Sequence, residues 1–167
     1  MSASLSREIH CVLIPAGSLR LLLPNSLIAE VVAQPPVQPL RGKPAWVLGS
    51  ITWRGQQVPL VSYTQLVGAV DRDTTQSVRV AVLRTLGGDP RLPFVALMTQ
   101  GFPRLTALNP DLIVPVDDGA SLPTGERARA LVGDDVAVIP DLEWLEAELL
   151  EKLGDTAPSP RHGTNTA

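Results

Sequence analysis

Prolines and glycines divide this chain into short apolar segments. Its 167 residues include 16 prolines and 13 glycines, and the segments between them are rich in valine, isoleucine, leucine and threonine, which favour half-buried strands. The length fits one ordinary domain, and a hydrophobic content of 44% is ample for a packed core. The pattern therefore predicts a single all-β domain with many turns.

The charge and the cysteine content argue against several functional classes. A formal net charge of -3 leaves no basic surface that would neutralise a run of phosphates, so we expect no nucleic-acid partner. The single cysteine, Cys11, excludes an internal disulfide framework and a cysteine cluster for zinc. Because Cys11 lies in an apolar run, we interpret it as a buried, unreactive thiol.

The distribution of apolar residues also predicts where the protein resides. No apolar run approaches the roughly 20 residues needed to span a bilayer. The amino terminus carries the acidic Glu8 and lacks the basic start and long apolar stretch of a signal peptide. We therefore expect a cytoplasmic protein without direct membrane insertion.

The first half of the chain reads as strands and one long connection. Residues 8–14 and 19–23 predict a hairpin joined by the turn residues 15–18. Residues 27–32 form a third apolar segment, either helical or extended. Residues 33–46 contain four prolines, which remove the donors a central strand needs, so this segment predicts an extended surface loop.

The second half repeats the pattern of short strands after a polar stretch, residues 71–78, that predicts a surface loop. Strands are predicted at 78–86, 93–100, 102–108 and 112–116, and a closing hairpin at 130–140 with its turn at Gly133. The mixed charges of residues 117–130 predict a solvated loop.

The end of the domain changes to helical spacing. Leucines at positions 142, 145, 149, 150 and 153 follow a 3.6-residue period, and Asp141 precedes them as a helix cap. We interpret the leucines as core packing rather than as a partner-binding face. Residues 1–7 are predicted to be flexible and residues 154–167 to be a disordered tail, which leaves 8–153 as the folded domain.

The sequence contains few residues that could support catalysis. The two histidines, His10 and His162, do not form a general-base or metal arrangement. The glycines at 87 and 88 do not belong to a phosphate-binding loop. The aspartate pairs at 117–118 and 134–135 lack the spacing of a calcium loop and read as solvated turn residues. We therefore predict no catalytic residue, no metal site and no cofactor.

The stretch WVLGSITWRGQQVPLV, residues 46–61, left two interpretations open. Strand alternation places Gly49, Ile51 and Trp53 on one face and Arg54 at the turn. In the first interpretation Ile51 and Trp53 are core, Arg54 lies along apolar surface, and Gly49 marks a bend of a barrel. In the second, the tryptophan and arginine beside a glycine gap form a protein-binding surface.

This stretch resembles the signature of the CheW family of chemosensory adaptors, with Gly49, Arg54, Gly55 and Pro59 in the signature positions. Residues 79–105 are similar to the family's central hairpin, and residues 132–149 to its closing strand and helix entry. The resemblance spans roughly residues 8–153. Within the family the chain looks most like the ChpC-type adaptors of type IV pilus chemosensory clusters.

The resemblance implies a fold and a function. The expected fold is two five-stranded SH3-like β-barrels with a C-terminal α-helix. The expected function is non-enzymatic coupling of methyl-accepting chemoreceptors to a CheA-like histidine kinase, with recruitment to membrane receptor arrays. By position, the residues expected to contact partners are Ile28, Glu30, Gly49, Ile51 and Arg54, and those expected to form the turn and the core are Trp46, Trp53, Gly55 and Pro59. The alternatives are a free-standing β-barrel that binds a peptide or small ligand, and a β-barrel enzyme with carboxylate chemistry.

Overall fold

Eleven strands and two α-helices make up the described part of the chain, which in this computed structural model comprises residues 8–69, 78–109, 114–115 and 122–154. The strands are β1 (Ile9–Ala16), β2 (Leu19–Pro24), β3 (Ile28–Ala33), β4 (Val47–Trp53), β5 (Gln56–Val61), β6 (Val78–Arg84), β7 (Phe94–Gln100), β8 (Arg104–Leu108), β9 (Val114–Pro115), β10 (Glu126–Val132) and β11 (Asp135–Pro140). The helices are α1 (Tyr63–Val67) and α2 (Leu142–Leu153), and a short 3₁₀ turn covers Asn25–Leu27.

The strands form two sheets that are interleaved along the chain. One sheet has the order β8-β1-β2-β11-β10-β9, and the other has the order β3-β6-β7-β5-β4. The first sheet therefore takes its strands from both ends of the domain, and the second takes its strands from the middle. This arrangement confirms the predicted all-β class with a C-terminal helix. The first sheet differs from the expectation only in β9, a sixth strand of two residues.

The strands at the centre of the molecule are buried on both faces. In β1, Val12 and Ile14 point into a cluster shared by the two sheets, while Leu13 between them points into a separate cluster of the six-stranded sheet. In β6, Ala81 belongs to the shared cluster and Val80 to a cluster of the five-stranded sheet. Since successive side chains of a strand point to opposite faces, each central strand joins two cores.

The five-stranded sheet curves until its two edge strands meet. β3 and β4 stand at opposite ends of the strand order, but the indole Nε1 of Trp53 on β4 donates a hydrogen bond of 2.8 Å to Oε2 of Glu30 on β3. A side-chain hydrogen bond thus connects two edge strands whose backbones are not paired with each other. This contact closes the sheet as a barrel.

Helix α2 covers one side of the shared cluster. Asp141 caps the helix, because its side chain accepts a hydrogen bond of 3.1 Å from the backbone N–H of Trp144. Three of the predicted leucines are buried in the shared cluster, and two more pack against it: Leu142, Leu145 and Leu149, then Leu150 and Leu153. The interpretation of these leucines as core packing is confirmed.

Two buried polar side chains anchor the helices. Glu146 of α2 accepts hydrogen bonds through Oε1 from the backbone N–H groups of Leu86 (2.6 Å) and Gly87 (3.1 Å). Tyr63 of α1 donates a hydrogen bond of 2.6 Å from its hydroxyl to the carbonyl oxygen of Gly125. Burial, reinforced by the carboxylate of Glu126, raises the pKa of the Tyr63 hydroxyl far above its ordinary value, so it stays a donor.

Helix α1 begins directly after β5, so Ser62 and Tyr63 do not extend that strand. Ser62 instead caps the helix by accepting a weak hydrogen bond of 3.4 Å from the N–H of Gln65. The helix ends at Gly68, which has a left-handed φ of 72°. Five residues are too few for a helical period to be visible in the sequence.

The predicted loop 117–130 is also wrong in part, because β10 begins at Glu126. Glu126 is buried and accepts a hydrogen bond of 2.7 Å from Nε of Arg129 three residues later. This ion pair neutralises the buried Glu126 carboxylate, while the Arg129 side chain stays 33% exposed. The predicted flexible start, the predicted tail after Gly154, and the predicted loop 71–78 except Val78 lie outside the described residues.

Truncation of the α2 core contact tests this packing. Leu149 is completely buried in the shared cluster, so Leu149→Ala should lower the free energy of unfolding by about 2–5 kcal/mol. Leu105 is 75% exposed, and Leu105→Ala makes the same chemical change with an expected loss below about 0.5 kcal/mol. Urea unfolding of the two variants measures the difference. Equal losses would contradict the docking of α2.

Candidate partner-binding site

A tight turn connects β4 to β5 and fixes the position of Arg54. Trp53 pairs with Gln56 across the hairpin, which leaves Arg54 and Gly55 as a two-residue loop. Both have positive φ, 48° for Arg54 and 76° for Gly55, as the type I′ turn requires. Among the described residues Arg54 is the one non-glycine with positive φ, a conformation that a long side chain adopts only at some cost.

The side chain of Arg54 is held on one side and open on the other. Its guanidinium carbon lies 4.7 Å from the centroid of the Trp53 ring, and its Nη2 lies 3.4 Å from Oε2 of Glu30. Trp53 is only 7% exposed, whereas the side chain of Arg54 is 67% exposed. An ion pair this exposed contributes about 0–1 kcal/mol to stability. Its physical effect here is to orient the guanidinium.

Glu30 links this cluster to the edge of β3. Its Oε2 receives both the Trp53 indole and the Arg54 guanidinium, and its side chain is still 42% exposed. Ile28 lies two residues earlier on β3, half-buried against the shared cluster, with a register shift between Ile28 and Glu30. The structure therefore brings Glu30 and Arg54 together at the surface, whereas Ile28 packs toward the shared cluster. We call Glu30, Trp53 and Arg54 the closure cluster.

Gly49 and Ile51 lie inside the protein. Ile51 is completely buried in the cluster of the five-stranded sheet. Gly49 has a φ of 145°, and a β-carbon added there would overlap the carbonyl oxygen of Gln38 and lie 2.8 Å from Cγ1 of Val37. Gln38 and Ser50 exchange two backbone hydrogen bonds of 2.8 Å, which hold the proline-rich loop against β4.

This placement corrects the expectation of an open surface at Gly49. The close approach that a strand glycine requires is made by the chain's own loop, not by another molecule. A partner cannot reach the side chain of Ile51 while the barrel is closed. Partner contact at the five predicted residues stays a prediction, and the exposed ones are Glu30 and Arg54.

Two further predicted structural residues, Trp46 and Pro59, lie just before β4 and in the middle of β5. Trp46 is half-buried against the shared cluster, and its carbonyl oxygen accepts a hydrogen bond of 2.9 Å from the N–H of Ser62. Pro59 is buried on β5 opposite Ser50. Pro59 also lines a second surface feature, a groove next to α2.

The groove encloses roughly 250 Å³ between the proline-rich loop, β5 and the end of α2. Its lining residues are Gln38, Leu40, Ser50, Gln57, Pro59, Arg91, Leu92, Leu150, Leu153 and Gly154. Arg91 at the rim is fixed by Asp89, with 2.8 Å between Nη2 and Oδ2. Hydrogen bonds from the Arg91 side chain lower the pKa of the Asp89 carboxyl to about 2. None of the sequence-based predictions included this groove, although the spacing of Leu150 and Leu153 on α2 was a signal for it.

The described residues include no group of three or more histidine, cysteine, aspartate or glutamate side chains that could hold a metal ion. Burial raises the pKa of the Cys11 thiol, which lowers its thiolate fraction and its reactivity. No helix of the described chain is long and apolar enough to cross a membrane.

The comparison with protein families decides the identity of the domain. A profile of the CheW-like domain matches residues 10–148, well over half of the chain. The chain belongs to the CheW-like domain family. The fold of this CheW-like chain is similar to the crystal structure of the scaffolding protein TtCheW from Thermoanaerobacter tengcongensis, with a TM-score of 0.69 and 16% identity over 85% of this chain and 90% of that one. No curated protein matches this CheW-like sequence significantly.

Substitution at Gly49 tests the role of the loop contact. Gly49→Ala combines an unfavourable φ with overlap against Gln38, so it should lower the free energy of unfolding by roughly 2–6 kcal/mol. Gly55→Ala is the matched control, because Gly55 also has a positive φ but has no atom within 4 Å of an added β-carbon. It should cost about 1–2 kcal/mol. Thermal and urea unfolding measure both, and a Gly49→Ala protein as stable as wild type would refute the loop contact.

Proposed function

We propose that this CheW-like chain is a non-enzymatic scaffolding adaptor that couples methyl-accepting chemoreceptors to a CheA-like histidine kinase. Membership of the CheW-like family supports the adaptor role. The observation that carries the proposal is Arg54, which is held by Trp53 and Glu30 and is nevertheless two-thirds exposed. Arginine and tryptophan are enriched at the energetic centres of protein interfaces.

The closure cluster is suited to binding because its geometry is set before a partner arrives. The type I′ turn fixes the backbone of Arg54, and the Trp53 ring and the Glu30 carboxylate restrict its side chain. A restricted side chain loses less entropy on binding. A guanidinium with open N–H groups recognises a carboxylate in a bidentate manner. We assign this surface to the receptor.

The expected interface area and affinity are consistent with an adaptor that assembles reversibly. An interface of standard size buries about 800 Å² on each partner. Micromolar affinity corresponds to about -8 kcal/mol. A few apolar side chains, among them Ile28, together with Arg54 supply most of such a binding energy.

The narrower assignment is to the ChpC-type adaptors of type IV pilus chemosensory systems, which act in twitching motility. Its support is the resemblance of the short, helix-poor start, the acidic balance and the single-domain length to those adaptors. In this assignment the protein works in the cytoplasm and is recruited to receptor arrays at the membrane. It then belongs to a two-component signalling pathway, and its kinase is the one of the pilus cluster.

A second candidate function rests on the groove beside α2. Its volume of roughly 250 Å³ is just below the range of about 300–1,000 Å³ that small-molecule sites occupy. Leu150 and Leu153 give it an apolar wall. A free-standing module would use the groove to bind one large apolar side chain of a peptide.

Reconstitution distinguishes the two functions. The purified chain is mixed with a CheA-like kinase and with a receptor signalling fragment in membranes, and co-sedimentation and kinase activation are measured. An adaptor should sediment with the receptor and raise kinase activity only when both partners are present. If the folded protein binds neither partner, the proposal is overturned.

A charge-removing variant tests the closure cluster directly. Arg54→Gln keeps a β-carbon in the turn but removes the guanidinium, so receptor binding should weaken at least about tenfold. The free energy of unfolding should fall by no more than about 1 kcal/mol. Arg41→Gln, an exposed arginine of the proline-rich loop, is the matched control and should bind as wild type does. Trp53→Ala provides the contrast, because loss of a buried tryptophan should cost about 3–5 kcal/mol of stability.

A further inference from the structure

A cluster of arginines lies around β1 of the six-stranded sheet. Leu13 pairs with Arg104 on one neighbouring strand, and Pro15 pairs with Arg20 on the other. Since Leu13 and Pro15 are two residues apart, both arginines lie on the same face of the sheet. Phe102, just before β8, completes a shallow depression lined by these five residues.

The Phe102 ring is exposed and held in place by an arginine of the other sheet. Phe102 is 65% exposed. The guanidinium carbon of Arg79 on β6 lies 4.3 Å from the centroid of its ring, close enough for a cation–π contact. The Nε atom of Arg79 is buried without a hydrogen-bond partner. We call Arg20, Arg79, Phe102 and Arg104 the arginine–phenylalanine patch.

The patch is positively charged in a protein whose net charge is -3. Within the described chain, Asp135 is the one acid paired with it, at 3.2 Å from Arg20. Three arginines and one aspartate leave a local charge of +2. Arg79 and Arg104 form no salt bridge with any described residue, so their guanidinium groups can pair with carboxylates that a partner supplies.

The size of the depression decides the class of ligand. It encloses only about 40 Å³, far less than the roughly 300–1,000 Å³ of a small-molecule site. A nucleic acid would need a longer run of basic residues to neutralise its phosphates. An exposed aromatic ring flanked by arginines matches the composition of protein–protein hot spots. The ligand that fits is therefore a protein segment.

We propose that the arginine–phenylalanine patch binds an acidic segment of the CheA-like kinase, with carboxylates on Arg79 and Arg104 and an apolar side chain on Phe102. The assignment rests on the proposed adaptor function. A bridging protein needs two surfaces that do not overlap. The closure cluster lies on the five-stranded sheet and is assigned to the receptor, whereas Arg20 and Arg104 lie on the six-stranded sheet.

Binding by this patch has a physical signature that separates it from apolar docking. Burial of Phe102 in the complex excludes water from the neighbouring guanidinium groups and strengthens their ion pairs. Arg20 and Arg104 are exposed in the free protein, so salt screens their attraction for the approaching segment. Kinase binding should therefore weaken as the salt concentration rises, and reversal of one patch charge should reduce that dependence.

The test measures binding of the full chain to the purified kinase and, separately, to the receptor signalling fragment. Arg104→Glu and Phe102→Ser should each weaken kinase binding at least about tenfold. Both variants should bind the receptor fragment within about twofold of wild type, which corresponds to a loss of at most about 0.4 kcal/mol. Arg41→Glu makes the same charge change as Arg104→Glu at another exposed arginine and should leave kinase binding unchanged.

Each outcome has one meaning. If wild type binds the kinase and both patch variants bind equally well, the patch assignment is overturned and the adaptor function stands. Weaker binding to the receptor fragment alone would overturn the assignment to the kinase. If wild type binds neither partner, the adaptor function fails and the patch assignment fails with it. Circular dichroism and thermal unfolding check folding; should Phe102→Ser unfold, Arg104→Glu decides, because Arg104 is exposed and forms no salt bridge.

Discussion

The burial of the central strands on both faces holds this protein together. Side chains from β1 and β2 of one sheet meet those from β6 and β7 of the other in the shared cluster, and Leu145 and Leu149 of α2 cover it. Burial of one such leucine contributes roughly 1.5–3 kcal/mol. Because the intervening residues of the same strands fill two further clusters, displacement of one sheet would disturb all three. The two sheets therefore present their outer edges in a fixed relation.

That fixed relation matters for an adaptor, which must hold two partners at a defined distance. The closure cluster stands where β3 meets β4, and the arginine–phenylalanine patch stands around β1 and β8. Arg79 joins the two sheets at the patch, since it extends from β6 of one sheet to Phe102, which lies just before β8 of the other. In the proposed function, the rigid shared cluster sets the geometry between receptor and kinase.

Much of the fold was predictable because its signals are local. β-branched residues between prolines and glycines predicted the strands, and leucine spacing with Asp141 predicted α2. Short elements with mixed composition were not predictable: α1 has five residues, and the start of β10 carries a buried glutamate that an ion pair with Arg129 neutralises. The candidate site was predictable only in part. The position of Arg54 in the family signature indicated that it contacts a partner. Nothing in the sequence near Gly49 indicated that Gln38 lies against this glycine.

The sequence by itself determined the local conformations of this protein. A glycine after Arg54 permits the type I′ turn, and aspartate before a leucine repeat begins a helix, since both depend on residues a few positions apart. Only the tertiary structure decided the long-range contacts: the interleaving of the sheets, the closure of the barrel by Trp53 and Glu30, and the seating of Arg79 on Phe102. A strand's alternation specifies two faces but not which other strand covers each of them. That choice depends on how all the apolar faces are buried together.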